Sequence, residues 1–185
     1  MGAPATRHEL FPDPPPELEN LFREHHDRSF RAAYRITGSA MDAEDVLQTI
    51  FLRLMKRERV PDLSPSPESY FHRAAVNAAL DLMRSPIRAR SASLEDVETT
   101  RLESPGLDPE SQHADRELKT FIRRSVARLG RRAAEVFALR YFEGYGNREI
   151  AAMLNTSQMV VAVILHRSRS RLRKDISRYL ETKES

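Results

Sequence analysis

Residues 155–174 read NTSQMVVAVILHRSRSRLRK: an apolar run, Met159 to Leu165, passes directly into Arg167, Arg169, Arg171, Arg173 and Lys174. Closely spaced guanidinium groups suit phosphate oxygens, and each phosphate they neutralise releases a counterion. A second group with chemical potential is His25-His26-Asp27. Adjacent side chains on a helix point apart, so these three do not converge on one metal ion, and no second ligand cluster accompanies them. A metal hydrolase is therefore a poor reading. The chain has no cysteine, which excludes disulfides, thiolate metal sites and cysteine nucleophiles. It also lacks a glycine-rich phosphate loop, so nucleotide hydrolysis has no support. What remains is binding rather than catalysis, and no catalytic residue, metal or cofactor is assigned.

The bulk properties fit that reading. The 185 residues are 40% hydrophobic and 31% charged, enough for one medium or two small domains. A formal net charge of +3 and a pI near 9.4 weakly favour an anionic partner. Residues 1–14 lack the apolar core of a signal peptide and read as a disordered leader, which makes the cytoplasm the expected compartment. A membrane span needs about 20 apolar residues, and the Met159–Leu165 run is far shorter, so no membrane insertion is expected.

Almost every segment carries helical spacing, and no alternating strand pattern competes; the expected class is all-α. Leu18, Leu21, Phe22, Phe30 and Tyr34 form a stripe that ends at Gly38-Ser39. Asp42 opens a second segment in which Val46, Leu47, Ile50, Phe51, Leu54 and Met55 recur three and four apart. Ser66-Pro67-Glu68 reads as N-cap, first-turn proline and first-turn acid of a third helix, which runs to about Arg84 and stops at Pro86. The periodicity then lapses through a Ser- and Pro-rich stretch. A second module resumes with Leu118, Phe121, Ile122, Val126 and Leu129; Gly130 ends that helix, and another runs from about Arg132 to Phe142.

The opening stretch completes this second module. Gly146 or Asn147 can cap a short helix carrying Ile150, Ala151 and Leu154. Asn155 suits the left-handed turn that ends it, and Thr156-Ser157 can cap the next helix. Short helix, tight turn and longer helix make a helix-turn-helix, whose second helix enters the major groove. On a helical wheel Val161, Leu165, Ser168 and Leu172 share the inward face. Met159, Val160, Ala162, Val163, His166, Arg167 and Ser170 lie largely opposite. Ser157, Gln158, Val160, Ala162, Val163, His166, Arg167, Arg169 and Arg171 are the candidate DNA contacts.

Residues 129–174, from LGRRAAEVFALRYFEGYGNREIAAML onward, resemble region four of bacterial sigma factors. The signposts include Leu129, Arg132, Glu135, Leu139, Glu143-Gly144, Glu149-Ile150-Ala151 and His166-Arg167. Upstream, DAEDVLQTIFLRL and YFHRAAVNAALDLMR are similar to region two. Their order, with a linker too short for a middle domain, resembles the extracytoplasmic-function class. The resemblance implies two small helical domains: region two over 15–87 and region four over 113–181, joined by a flexible linker over 88–112. It implies a dissociable subunit that gives core RNA polymerase its promoter specificity, with promoter DNA as the other partner. An anti-sigma factor is a further candidate partner.

By the same resemblance Asp45, Gln48, Phe51 and Leu52 would meet the clamp helices of the largest polymerase subunit, and region four would touch the flap. Tyr70, Phe71, Arg73, Asn77, Arg84 and Arg88 would serve the opened minus-ten element. Aromatics can support unstacked bases, arginines can hold the backbone, and an amide can pair with a flipped base. Asn77 and the loop Pro61 to Pro67 would choose that base, while Arg90 would track phosphate. The linker acids Glu95, Asp96, Glu98, Glu103 and Asp108 would thread toward the polymerase channel. Val160, Ala162, Val163 and Ile164 depart from the family's polar recognition helix. They leave thymine-methyl contact, or cover by a protein, in place of hydrogen-bond readout. The rival function is a two-domain helix-turn-helix regulator that acts without replacing the sigma subunit.

Overall fold

In the computed structural model, residues 16–56, 63, 66–85 and 109–184 are described. The leader, most of the Pro61–Pro67 loop, Arg88, Arg90 and the linker acids lie outside them. The described residues form helices: α1 (Pro16–Thr37), α2 (Ala40–Met55), α3 (Pro67–Arg84), α4 (Pro109–Ala127), α5 (Arg131–Tyr141), α6 (Asn147–Met153) and α7 (Gln158–Glu184). No strand occurs among them. No single described helix is long and apolar enough to cross a membrane; α6 and α7 reach that measure only as a pair bent by 109°.

The first three helices pack on one another, and their boundaries follow local chemistry. Gly38, at φ 76°, ends α1 by donating its N–H to Tyr34 O at 2.7 Å. Ser39 is the N-cap of α2, its hydroxyl accepting from the Asp42 N–H at 3.3 Å, so the helix begins before the expected Asp42. Asp42 is instead a buried first-turn acid, favoured there by the helix dipole. Ser66 caps α3 as expected, accepting from Ser69 N at 3.2 Å with Pro67 in the first turn. Val46, Leu47, Ile50 and Leu54 are buried, whereas Phe51 and Met55 are only half-buried.

The other helices form a second group. α4 starts at Pro109, a few residues before the expected resumption, because proline needs no intrahelical N–H partner there. It ends at Ala127, and Gly130, at φ −56°, is the N-cap of α5 rather than the terminator of α4. Both groups share one apolar core, in which Leu80 and Val76 of α3 belong to the same cluster as Val126, Leu129 and Leu139.

Gly38 tests how tightly the groups are joined. A Cβ on it would lie 2.6 Å from Nη1 of Arg123 in α4, and its left-handed backbone costs an L-residue roughly 1–2 kcal/mol. Gly38→Ala is therefore expected to lower the unfolding free energy by at least about 1 kcal/mol in urea denaturation. An unchanged midpoint would mean that the turn and Arg123 both relax freely.

Candidate nucleic-acid and protein interfaces

The helix-turn-helix is built as its residues dictate. Glu149 Oε2 accepts from the Gly146 N–H at 2.7 Å and fixes the start of α6. At the other end Asn155 adopts φ 47°; its N–H reaches Ala152 O at 3.3 Å and the Thr156 N–H reaches Ala151 O at 2.9 Å. This paired bonding is the Schellman pattern, which satisfies carbonyls that the helix end leaves free. Ser157 Oγ then accepts from Val160 N at 3.3 Å and opens α7. Of the two cap candidates, Ser157 is the one that makes this bond.

Along α7, Val161, Leu165, Ser168 and Leu172 are buried. Ser157, Gln158, Val160, Ala162, Val163, His166, Arg167, Arg169 and Arg171 are all exposed, and Ile164 is half-buried against the core. None of Arg167, Arg169 and Arg171 forms an ion pair among the described residues. Arg169 also lines a recess of about 140 Å³ with Arg140, Tyr141, Asn147, Ala162 and Leu165. Met159 is 77% exposed, and with Val160 and Val163 it leaves an apolar tip beside the arginines.

On α2, Asp45, Gln48 and Leu52 are exposed and Phe51 is half-buried. Phe51 packs on Phe22, ring centroids 5.1 Å apart, and both line an open groove of about 300 Å³ with Glu19, Arg23 and His26. A face mixing an acid, an amide and apolar surface beside a groove suits a protein partner.

The third group departs from expectation. Phe71 is 1% exposed, with Phe22 and Tyr70 around its ring, so it is core and offers no stacking surface to a base. Its neighbour Tyr70 is half-buried. Arg73 and Asn77 are half-buried and bonded to α5: Arg73 Nε and Asn77 Nδ2 donate to the same oxygen, Glu135 Oε1, at 3.1 and 2.9 Å. Arg73 Nη1 also donates to Met153 O at 2.8 Å. Arg84 is held too, by Ala127 O at 2.6 Å and Asp81 at 2.9 Å.

Sequence reasoning named Glu135 and Glu143 only as signposts of the resemblance and missed that they do this. Glu135 is 5% exposed, and the Glu143 side chain is 2% exposed. Glu143 Oε2 accepts from Arg35 Nη1 at 2.8 Å and lies 3.2 Å from Nε2 of buried His72, close enough for an ion pair but not aligned as a hydrogen bond. Arg28 donates to the Tyr145 hydroxyl at 2.9 Å, and Arg123 Nε to Arg35 O at 3.2 Å. Burial pushes the Arg123 guanidinium below its ordinary range, against an opposing pull from Tyr34. The available signal was an ionisable residue on a buried face: Glu135 one turn before Leu139, and His72 one turn before Ala75 and Val76.

Two family models match the chain in this order: Sigma-70 region 2 over residues 21–89 and Sigma-70, region 4 over residues 122–172. The chain is 32% identical to the RNA polymerase sigma-E factor of Streptomyces coelicolor, over 86% of each protein. It is 32% identical to the ECF RNA polymerase sigma factor SigE of Mycolicibacterium smegmatis, covering 89% of this chain and 63% of that longer protein. With the ECF RNA polymerase sigma factor SigM of Mycobacterium tuberculosis it shares 30% identity over 89% of this chain and 79% of that one. The ordered pair of regions and these likenesses over most of its length place the chain in the sigma-70 family, as a member of its extracytoplasmic-function class.

Proposed function

We infer that this chain directs core RNA polymerase to specific promoters and assists their melting, acting by binding and with no catalysis of its own. The supporting observation is that one chain presents two separate exposed faces. One is the mixed polar and apolar face of α2, and the other is the arginine-bearing face of α7. The first fits the clamp helices of the largest polymerase subunit through Asp45, Gln48, Phe51 and Leu52. The second fits the minus-thirty-five element through its phosphates, with the apolar tip reading thymine methyls or meeting a protein, the polymerase flap or an anti-sigma factor. Region two spans 15–87 and region four 113–181 in this reading, and the protein works in the cytoplasm beside the polymerase. Tyr70, Arg73 and Asn77 serve the opened minus-ten element once they are free to do so; Phe71 supports them from the core.

Run-off transcription with core polymerase and a genomic promoter library tests the reading. The wild-type chain is expected to start transcription at a defined subset of promoters. Asp45→Ala with Gln48→Ala should weaken co-migration with core by about thirtyfold, since two contacts at a protein interface of this kind each contribute on the order of 1 kcal/mol. Normal core binding by a folded double variant removes these residues from the interface. A chain that binds promoter duplex but never programs core would instead be a helix-turn-helix regulator.

A further inference from the structure

The first two turns of α7 carry little that can hydrogen-bond to a base. Met159, Val160, Ala162 and Val163 are exposed there, both valines at 44%. Ser157 Oγ is engaged as the cap of the helix, which leaves Gln158 as the exposed amide of these turns. Met159 and Val163 stand opposite the buried pair Val161 and Leu165, so they form the crest of the helix. Arg167 and Arg171 continue the row of Val160 on one side, and Arg169 continues that of Ala162 on the other. These guanidiniums have no ion-pair partner among the described residues. An apolar crest between two cationic flanks matches a major groove, which presents base edges between two phosphate chains. A protein covering so small a patch would have to match those charges with acids of its own.

In that groove a valine neither donates nor accepts, so it cannot tell the O4 acceptor of thymine from the N4 donor of cytosine by hydrogen bonding. What it can sense is whether a pyrimidine carries a methyl group at C5. Thymine and 5-methylcytosine both carry one, at the same place on the groove floor. We propose that α7 is a C5-methyl reader: Val160 and Val163 take thymine or 5-methylcytosine and disfavour plain cytosine, so cytosine C5 methylation within the minus-thirty-five element strengthens promoter binding. Gln158 adds a bidentate contact to N6 and N7 of an adenine. Methyl reading rests on the assignment of α7 to the minus-thirty-five element, and it names the chemical group recognised there. Burying one methyl group against a valine changes affinity about fourfold. No counterion is released in that contact, so the ratio is independent of salt.

Holoenzyme reconstituted from core polymerase and the full chain first selects minus-thirty-five duplexes from a random library. The tightest duplex is then resynthesised, one position at a time, in two pairs that differ only by the methyl group. One pair is thymine against uracil, both opposite adenine; the other is 5-methylcytosine against cytosine, both opposite guanine. At the positions facing the valines, the methylated member of each pair is expected to bind about fourfold tighter, at low and high salt alike. Val163→Ser should bring the ratio at its position to about one. Arg167→Ala should weaken every duplex and keep the ratio. Equal binding within both pairs at every position overturns methyl reading while promoter selection stands, and weaker flap or anti-sigma binding by Val163→Ser would then put a protein on the tip. A Val163→Ser chain that keeps both wild-type ratios overturns it too. A ratio in the thymine pair alone overturns the equivalence of the two pyrimidines, and with it the response to methylation. Holoenzyme that selects no duplex removes the minus-thirty-five assignment itself, and methyl reading falls with it.

Discussion

Phe71→Ala is expected to destabilise the chain by about 3–5 kcal/mol, the range for removing a buried aromatic ring and leaving a cavity. Phe71 is 1% exposed and sits among Phe22, His25 and Tyr70, at ring-centroid distances of 6.2, 5.3 and 5.6 Å. For a protein of this size each kcal/mol moves the melting midpoint roughly 2–4 °C, so a fall on the order of 10 °C should be visible in a thermal scan. The measurement separates two roles. A residue that stacks on bases would, when truncated, weaken single-strand binding and leave the midpoint in place. A core residue does the reverse in the first instance, because α1 and α3 lose their common contact. Tyr70→Ala is the control, since its half-buried ring leaves less of a cavity.

Arg167→Ala with Arg171→Ala is expected to weaken holoenzyme binding to a minus-thirty-five duplex roughly sixty-fold at 0.1 M salt. That follows from about eightfold per lost phosphate contact, the value implied by a slope near 0.9 in log affinity against log salt for each contact. The loss should be similar on every sequence, and the salt slope should shallow by about two units. Both arginines are exposed and free of ion pairs among the described residues, so neither has a structural partner to lose. Val163→Ser should behave differently. Its side chain has no hydrogen-bonding group, so direct readout by it would be apolar contact with a thymine methyl. Discrimination of thymine from uracil should fall at one position with the salt slope unchanged. If Val163→Ser spares both duplexes and weakens flap or anti-sigma binding, a protein covers the tip. Steady salt slopes in the double arginine variant would remove those side chains from the phosphate contacts.

The sequence alone determined what depends on neighbours within about two helical turns. The caps Ser66 and Ser157, the left-handed Asn155 and the inward set Val161, Leu165, Ser168 and Leu172 all lie as their spacing requires. A helix repeats every 3.6 residues, so sequence spacing fixes which side chains share a face. The order of the two regions was legible for a related reason, since their motifs are local strings. Only the tertiary structure decided what each face meets. Phe71 and Tyr70 are adjacent aromatics with equal claims in the sequence, yet one lies in the core and the other at its edge. Arg73 and Asn77 read as free donors. Their acceptor, Glu135, lies 62 and 58 residues away in the chain. No periodicity carries information over that distance. The partner is set by how α3 and α5 dock, and docking is governed by the sum of burial and ion pairing across the whole seam.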